Sequence, residues 1–389
     1  MSRDIEALSQ WLIEGAPSAP QPHDVLSTLC ERLVACDVPL WRVVVFVRTL
    51  HPNVAAWHGD WRLGEPVRVT QMPHQAVAAA LFANSPLASV CRNGRALRCR
   101  FDGTHRRCDV SGFEPLRGDG VTDCWMTPLV FSRGEINAAS WATCDVGGFT
   151  DQQLGRIEQL LAPLARVAEI HTLRRTAIDL LDTYVGHRSA ERILAGAIRR
   201  GDTEAIHAAI WLSDMRGFTY LADRLPAVEL VALLNRYFDC QIPAITRNGG
   251  EVLKFIGDGL LAIFPVNGTD AESCAAALAA AEEASAAVAT MATAPDIALH
   301  RVRFGVALHL GEVEYGNIGG KKRLDFTCIG PAVNLAARLE QLAGRLGRTI
   351  VASSAFSRYC APPLLPLGEF TLPGFARSET VFSVPQSRG

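Results

Sequence analysis

Residues 208–222, AAIWLSDMRGFTYLA, leave few folds open to the chain. An apolar run from Ala208 to Leu212 reads as a buried β-strand. It ends on Asp214, turns at Gly217 and passes at once into a helix-like pattern. A carboxylate in that place fits an N-cap. It equally fits a site where the acid holds a metal and helix N–H groups hold phosphate. The alternation then repeats. A helix is predicted over 226–246, ending at Asn248-Gly249-Gly250. Strands at 251–256 and 260–264 flank Gly257-Asp258-Gly259, a hairpin signature. An alanine-rich helix covers 270–291. Strands at 302–310 and 312–318 are read as partners, and Gly319-Gly320 turns into a strand at 324–329. Gly330-Pro331 opens a helix over 332–344, with proline suited to the first turn. The order βαββαβ, with extra strands, describes an α+β unit with a mostly antiparallel sheet and helices on one face.

The first half of the chain reads differently. An amphipathic helix at 22–36, a strand at 41–50 and β-like runs at 65–70, 124–131 and 136–143 predict a compact α+β domain over 1–150. From Asp151 apolar residues recur every three or four positions, among them Leu154, Ile157, Leu160, Leu164, Val167, Ile170, Leu173, Ile178 and Leu181. One long helix over 151–185 follows, with Pro163 bending it. Such a helix either packs on its own domain or pairs two chains, and its length favours pairing. Residues 151–207 are therefore read as a helical linker and transducing element, and 208–389 as the second domain.

A net charge of −2 gives no bulk attraction to nucleic acid or anionic membrane. The start, MSRDIEALSQWL, lacks a basic segment followed by an apolar core, and Glu282 and Glu283 interrupt the alanine-rich run, so a cytoplasmic protein with no membrane span is expected. The 11 cysteines include no CxxC pair, which argues against a disulfide framework or zinc knuckle. The stretch 91–108, with Cys91, Cys99, Cys108, His105 and several arginines, admits a metal or anion site. Its lack of ligand spacing favours a solvated basic loop with buried thiols.

In a βαββ arrangement the strand ending at Asp214 lies beside the hairpin that carries Asp258, so the two acids meet at one end of the sheet. Alone they repel, and a hard divalent cation with phosphate ligands removes the conflict. With these residues the chain resembles the class III nucleotidyl cyclases, and within them the bacterial adenylate cyclases. WLSDMRGFT resembles the family's first metal motif, GGEVLKFIGDGLLAIF the second and GNIGGKKRLDFTCIGPAVNLAARLE the third, in family order over roughly residues 190–389.

The resemblance implies a ferredoxin-like cyclase palm and a set of roles. Asp214, Asp258 and the Met215 backbone carbonyl would hold two Mg²⁺ ions, with Mn²⁺ able to substitute. One ion would activate the ribose 3′-hydroxyl and both would stabilise the triphosphate, which Gly217, Phe218 and Thr219 would help to bind. Lys254 and Asp325 would read adenine, Lys donating to ring N1 and Asp accepting from the 6-amino group. Asn334 would orient the ribose, and Arg338 would stabilise the transferring phosphoryl group. ATP would become 3′,5′-cyclic AMP and pyrophosphate at sites shared by the two chains of a homodimer. The N-terminal domain is similar, by analogy alone, to GAF/PAS-type sensors, and an unnamed small molecule or protein would regulate through it. Two departures stand out. Pro331 replaces a frequent Asp, and Pro373 stands where relatives carry a basic residue for the triphosphate, leaving Arg377 or Lys321-Lys322-Arg323 as substitutes. Guanylate cyclase and a non-turning-over nucleotide-binding module are the rival functions. Lys254 with Asp325 argues against the first, because guanylate-making relatives place Glu and Cys there, and the complete set of six side chains argues against the second.

Overall fold

The computed structural model describes residues 2–82, 85–101, 118–295, 297 and 302–385. The chain divides into two compact units, Met1–Leu180 and Leu181–Gly389. The division falls inside the long helix, whereas the sequence reading set its boundaries after 150 and 207.

The N-terminal unit opens with α1 (Ser2–Ile13) and α2 (Pro22–Ala35). Strands β1 (Arg42–Arg48), β2 (Ala56–Arg62) and β3 (Arg68–Met72) lead to α3 (His74–Phe82) and α4 (Pro86–Asn93). Strands β4 (Leu97–Arg100), β5 (Asp123–Val130) and β6 (Ile136–Thr143) complete an antiparallel sheet of order β3-β2-β1-β6-β5-β4. Helix α5 (Asp151–Val185) follows, with Pro163 inside it. Its first half buries Ile157, Leu160 and Leu164 in the unit's own core beside Leu29, Leu33 and Trp141. Further along, Ile170 and Leu173 stand 60% and 62% exposed. The apolar stripe thus serves its own unit first and is left open beyond. Cys99 is disulfide-bonded, which cysteine spacing did not foretell. Residues 102–108 of the 91–108 stretch lie outside the described residues.

In the C-terminal unit, α6 (His187–Leu194) precedes β7 (Thr203–Arg216), which starts five residues earlier than the apolar run. The short α7 (Phe218–Ala222), α8 (Ala227–Arg247), β8 (Glu251–Ile256), β9 (Gly259–Pro265) and α9 (Asp270–Ala292) come next. Then follow β10 (Arg303–Gly320), β11 (Arg323–Ile329), α10 (Pro331–Leu346), β12 (Ile350–Ser353), β13 (Leu365–Phe370) and β14 (Glu379–Ser383). The sheet runs β13-β14-β12-β10-β7-β9-β8, with β11 paired to β10, and β10–β12 is its parallel pair.

Two expectations are corrected. Residues 302–318 were read as two paired strands, but β10 is one strand of 18 residues, paired with β7 from Arg303↔Arg216 to Gly316↔Thr203. Gly311 makes no turn. An added Cβ there would meet the Ala332 Cβ at 2.9 Å, so glycine lets α10 approach the strand. Helices also cover both faces of the sheet. Alternation along β7 sends Ala209, Trp211 and Met215 to the core under α8 and α9, and Ala208 and Ile210 to the core shared with Ala332 and Ala336 of α10. Among the described residues α9 alone is long and apolar enough to cross a membrane. Here it packs as a core helix, with Cys274, Ala277, Ala280, Ala281 and Ala284 fully buried. Its small side chains allow that close approach, and Thr269 with Glu272 closes a capping box at its start.

Candidate active site

Two glycines bring the predicted carboxylates together. Gly257 takes a φ of 63°, so β8 reverses into β9 through a two-residue turn with Asp258 at its tip. At Gly259 an added Cβ would fall 2.2 Å from the Ser213 carbonyl oxygen, so β9 meets β7 with no side chain between them. Asp258 thereby reaches Asp214, and their carboxyls share a hydrogen bond. The Met215 N–H donates to Asp258 Oδ2 at 3.3 Å. From α8, the Tyr237 hydroxyl donates to the Asp214 carbonyl oxygen at 2.9 Å, and Gln241 accepts from Ser213 Oγ at 2.6 Å. The end of β7 is therefore pinned from below.

Burial, then the hydrogen bond to Asp258 and that group's negative charge, push the Asp214 carboxyl up to about 7. Two acids that resist sharing charge, offering only hard oxygen donors, fit a divalent cation of the Mg²⁺ type. Among the described residues no group of three or more His, Cys, Asp or Glu side chains forms a cation cage. A cation held here would take its other ligands from backbone, water or a bound nucleotide. Gly217, at φ 81°, opens α7 beside the pair, with Phe218 half-buried and Thr219 exposed.

Arg216 backs the acids. Its guanidinium lies 3.8 Å from Asp214 Oδ2, forms an ion pair with Glu340 of α10 and donates to the Glu340 carbonyl oxygen at 3.1 Å. It occupies a slot between two glycines, since a Cβ on Gly305 or Gly344 would sit 2.2 or 2.9 Å from it. This strut orients α10. Glu340 faces the acids, while Arg338 lies two positions back, about 200° around the helix, and Asn334 about 240°. Asn334 and Arg338 therefore share a face turned away from the acids of their own chain. Asn334 is exposed, and Arg338 donates to Gln341 Oε1 at 3.1 Å.

The other predicted residues gather around β8 and β11. The register of β8 skips between Val252 and Lys254, which turns Leu253 into the core with Phe326 and Cys328 and sets Lys254 opposite Leu261. Burial raises the Cys328 thiol to about 11, and the positive charge of Lys254 opposes that rise, so Lys254 lies near β11. Asp325 is exposed, opposite Ile318. Two residues on, and on the same side of β11, Thr327 is 3% exposed and its Oγ1 has no hydrogen-bond partner. An unpartnered buried hydroxyl costs about 1–3 kcal/mol. Thr327, which sequence reasoning passed over, is thus a buried, unpartnered polar group on the strand that lies near Lys254. Its signal was a lone hydroxyl inside the otherwise apolar run FTCI. Lys321, Lys322, Arg323, Pro373 and Arg377 are all exposed, and no ion pair among the described residues joins these basic groups to the acids.

Residues 203–360 match the family described as the adenylate and guanylate cyclase catalytic domain. The C-terminal unit holds a class III nucleotidyl cyclase domain. Cyclase domains of this family bind a nucleotide, act as dimers and generally use divalent metals. An uncharacterised protein of Mycobacterium tuberculosis is 34% identical over 181 residues, 46% of this chain and 32% of that protein. An adenylate cyclase of Anabaena cylindrica is 32% identical over 195 residues, 49% of this chain and 38% of that protein. The match thus spans about a third of these relatives' length. The crystal structure of the adenylyl cyclase CyaB from P. aeruginosa is 26% identical, covering 48% of this chain and 97% of that one with a TM-score of 0.43.

Proposed function

We propose that the chain is an adenylate cyclase, converting ATP to 3′,5′-cyclic AMP and pyrophosphate at sites shared by two copies of itself. One observation carries this reading: each chain has the acids and the Arg338 face of α10 pointing apart. A nucleotide held by the Asp214–Asp258 pair would find Arg338 and Asn334 only on a partner. Asp214 and Asp258, with the Met215 carbonyl, would hold two Mg²⁺ ions, or Mn²⁺, which would supply Lewis acidity to the triphosphate and lower the pKa of the 3′-hydroxyl. The turn Gly217-Phe218-Thr219 would offer backbone N–H groups to phosphate. Lys254 would donate to adenine N1, and Thr327 would accept from the 6-amino group, with Asp325 the alternative acceptor. Asn334 would orient the ribose and Arg338 would offset charge on the transferring phosphoryl group.

The test is direct. Purified chain with ATP and Mg²⁺ or Mn²⁺ should form cyclic AMP, and GTP should give far less cyclic product. Preferential turnover of GTP would make the protein a guanylate cyclase. Binding of both nucleotides without turnover would make it a signalling module.

A further inference from the structure

Helix α6 enters the cyclase domain through a hydrogen-bonded node that none of the roles above uses. Ser189, fully buried, sits 2.9 Å from the Tyr315 hydroxyl of β10. That hydroxyl donates to Glu251 Oε1 of β8 at 3.1 Å. The Ser189 N–H and hydroxyl both donate to the same carboxylate oxygen, at 3.3 and 3.4 Å. Three donors from two elements thus converge on one atom of a third. Glu251 Oε2 is buried without a partner, so the carboxyl is held entirely from this side.

The surroundings tighten the node onto the strands that carry Lys254 and Thr327. Gly186, just before α6, takes a φ of 85°, and a Cβ there would sit 3.2 Å from the Val252 carbonyl oxygen. The helix start therefore presses on the β8 bulge, whose register decides which way Lys254 faces. Arg188 and Arg192 lie over the Tyr315 ring at 5.6 and 5.8 Å from its centroid, and Arg192 also lies 5.8 Å from the Phe326 centroid. Both arginines are steadied by Glu204 of β7. Tyr315 meets Phe326 edge-on at 4.9 Å, and Phe326 is the residue before Thr327. One end of the node is three residues from Lys254, and the other is one side chain from Thr327.

We infer that Ser189, Glu251 and Tyr315 are positioning residues for base recognition, through which α6 fixes the spacing of Lys254 and Thr327. This rests on the cyclase reading only for what the base is. None of the three need touch the nucleotide. Without the Tyr315 hydroxyl, β8 and β10 are free to shift relative to one another. Lys254 and Thr327 then no longer match one base edge, and discrimination falls because it depends on both groups being met at once.

The experiment uses the full chain and isosteric variants. Affinities for 3′-deoxy-ATP and 3′-deoxy-GTP, which cannot cyclise, are measured by calorimetry with Mg²⁺, alongside KM and kcat for ATP. Tyr315→Phe and Glu251→Leu should weaken 3′-deoxy-ATP binding at least fivefold and raise KM in step. The ATP/GTP affinity ratio should fall at least threefold, while the Mg²⁺ concentration for half-maximal effect stays unchanged. Glu251→Gln keeps an acceptor for Tyr315 and Ser189 and should restore wild-type ratios. A merely structural role would lower the active fraction, and so kcat, at constant KM and constant base ratio. That result, or an unchanged ratio in Tyr315→Phe, overturns the inference. Wild-type chain that binds 3′-deoxy-ATP yet makes no cyclic nucleotide defeats the cyclase reading, and the binding ratios still decide this one. Wild-type chain that binds neither analogue defeats both.

Discussion

At the scale of single residues, Asp214 and Asp258 were legible because each sits against a glycine that an ordinary strand or helix does not need. Thr327 was not. Its proposed part in base recognition rests on burial without a partner, which arises only when β11 lies on β10 near β8, and no local pattern encodes that. Asp325, more conspicuous in the sequence, turned out exposed. Replacing Asp214 with Asn should cost turnover about a hundredfold or more, since several kcal/mol of transition-state stabilisation are lost. Thermal melting separates this from misfolding. Wild-type chain should gain stability on adding Mg²⁺, and Asp214→Asn should melt at least as high without metal, freed of carboxylate repulsion, and gain nothing with it. A second residue has a pH signature. His309, on β10, is 8% exposed and shares a 2.8 Å hydrogen bond with Ser353. Burial pushes its imidazole from 6.5 down to about 4. The unfolded chain therefore binds a proton that the folded chain refuses between those values. Stability from this group is complete above about 6.5 and falls as pH drops toward 4, by on the order of 3 kcal/mol. Denaturant titrations at pH 7.5 and 4.5 should show that loss in wild type and a smaller one in His309→Gln.

For whole elements, the long α5 and the alanine-rich α9 appeared within a residue or so, because a repeating apolar stripe marks the first and an alanine run the second, whereas α1, α3 and α4 went unread. Strand pairing was read less well. The glycine at 311 looked like a turn because a glycine between two apolar runs usually is one. It instead clears space for α10, a contact with a residue 21 positions away in sequence. Placement of helices on the two sheet faces was equally hidden, since alternation shows that a strand has two apolar faces but not which helix covers each. Gly259 offers an element-scale test. A Cβ within 2.2 Å of the Ser213 carbonyl must part β9 from β7. Gly259→Ala should lower the melting temperature by several degrees, as expected for a loss of about 1–3 kcal/mol. It should also abolish the Mg²⁺-induced rise in melting temperature, because Asp258 leaves Asp214. An unchanged Mg²⁺ response would show that the acids do not depend on that strand contact. In α5, a four-residue insertion near Ile170 turns everything after it by about 40° relative to what precedes it. Cyclase activity should change if the helix transmits orientation, and activity equal to wild type would make it a passive tether.

For the whole molecule, the decisive prediction is rescue between two inactive chains. Asp214→Ala lacks the acid in both sites of a homodimer, and Arg338→Ala lacks the arginine in both. Co-expressed, a mixed pair has one site with neither defect and one with both. Random pairing makes about half of all dimers mixed, so activity should return to about a quarter of wild type where each site turns over by itself, and coupling between the sites shifts the figure from that value. Mixed dimers without recovery would mean either that both groups act within one chain or that the two sites depend on each other, and an active monomerised cyclase domain would single out the first. Such rescue bears on α10 in a further way. That helix is about 10 Å across, and its Glu340 side is tied through Arg216 to the acids of its own chain, while its Arg338 side would serve the neighbour's nucleotide. Each reaction centre would then be separated from its twin by the thickness of a single rigid rod. Filling one pocket would then tilt a rod that also walls the other, and the two occupancies would not be independent events. Binding isotherms for 3′-deoxy-ATP should depart from a simple hyperbola, with a Hill coefficient different from one, and Arg216→Met should bring the coefficient back to one by cutting the rod loose from its own acids.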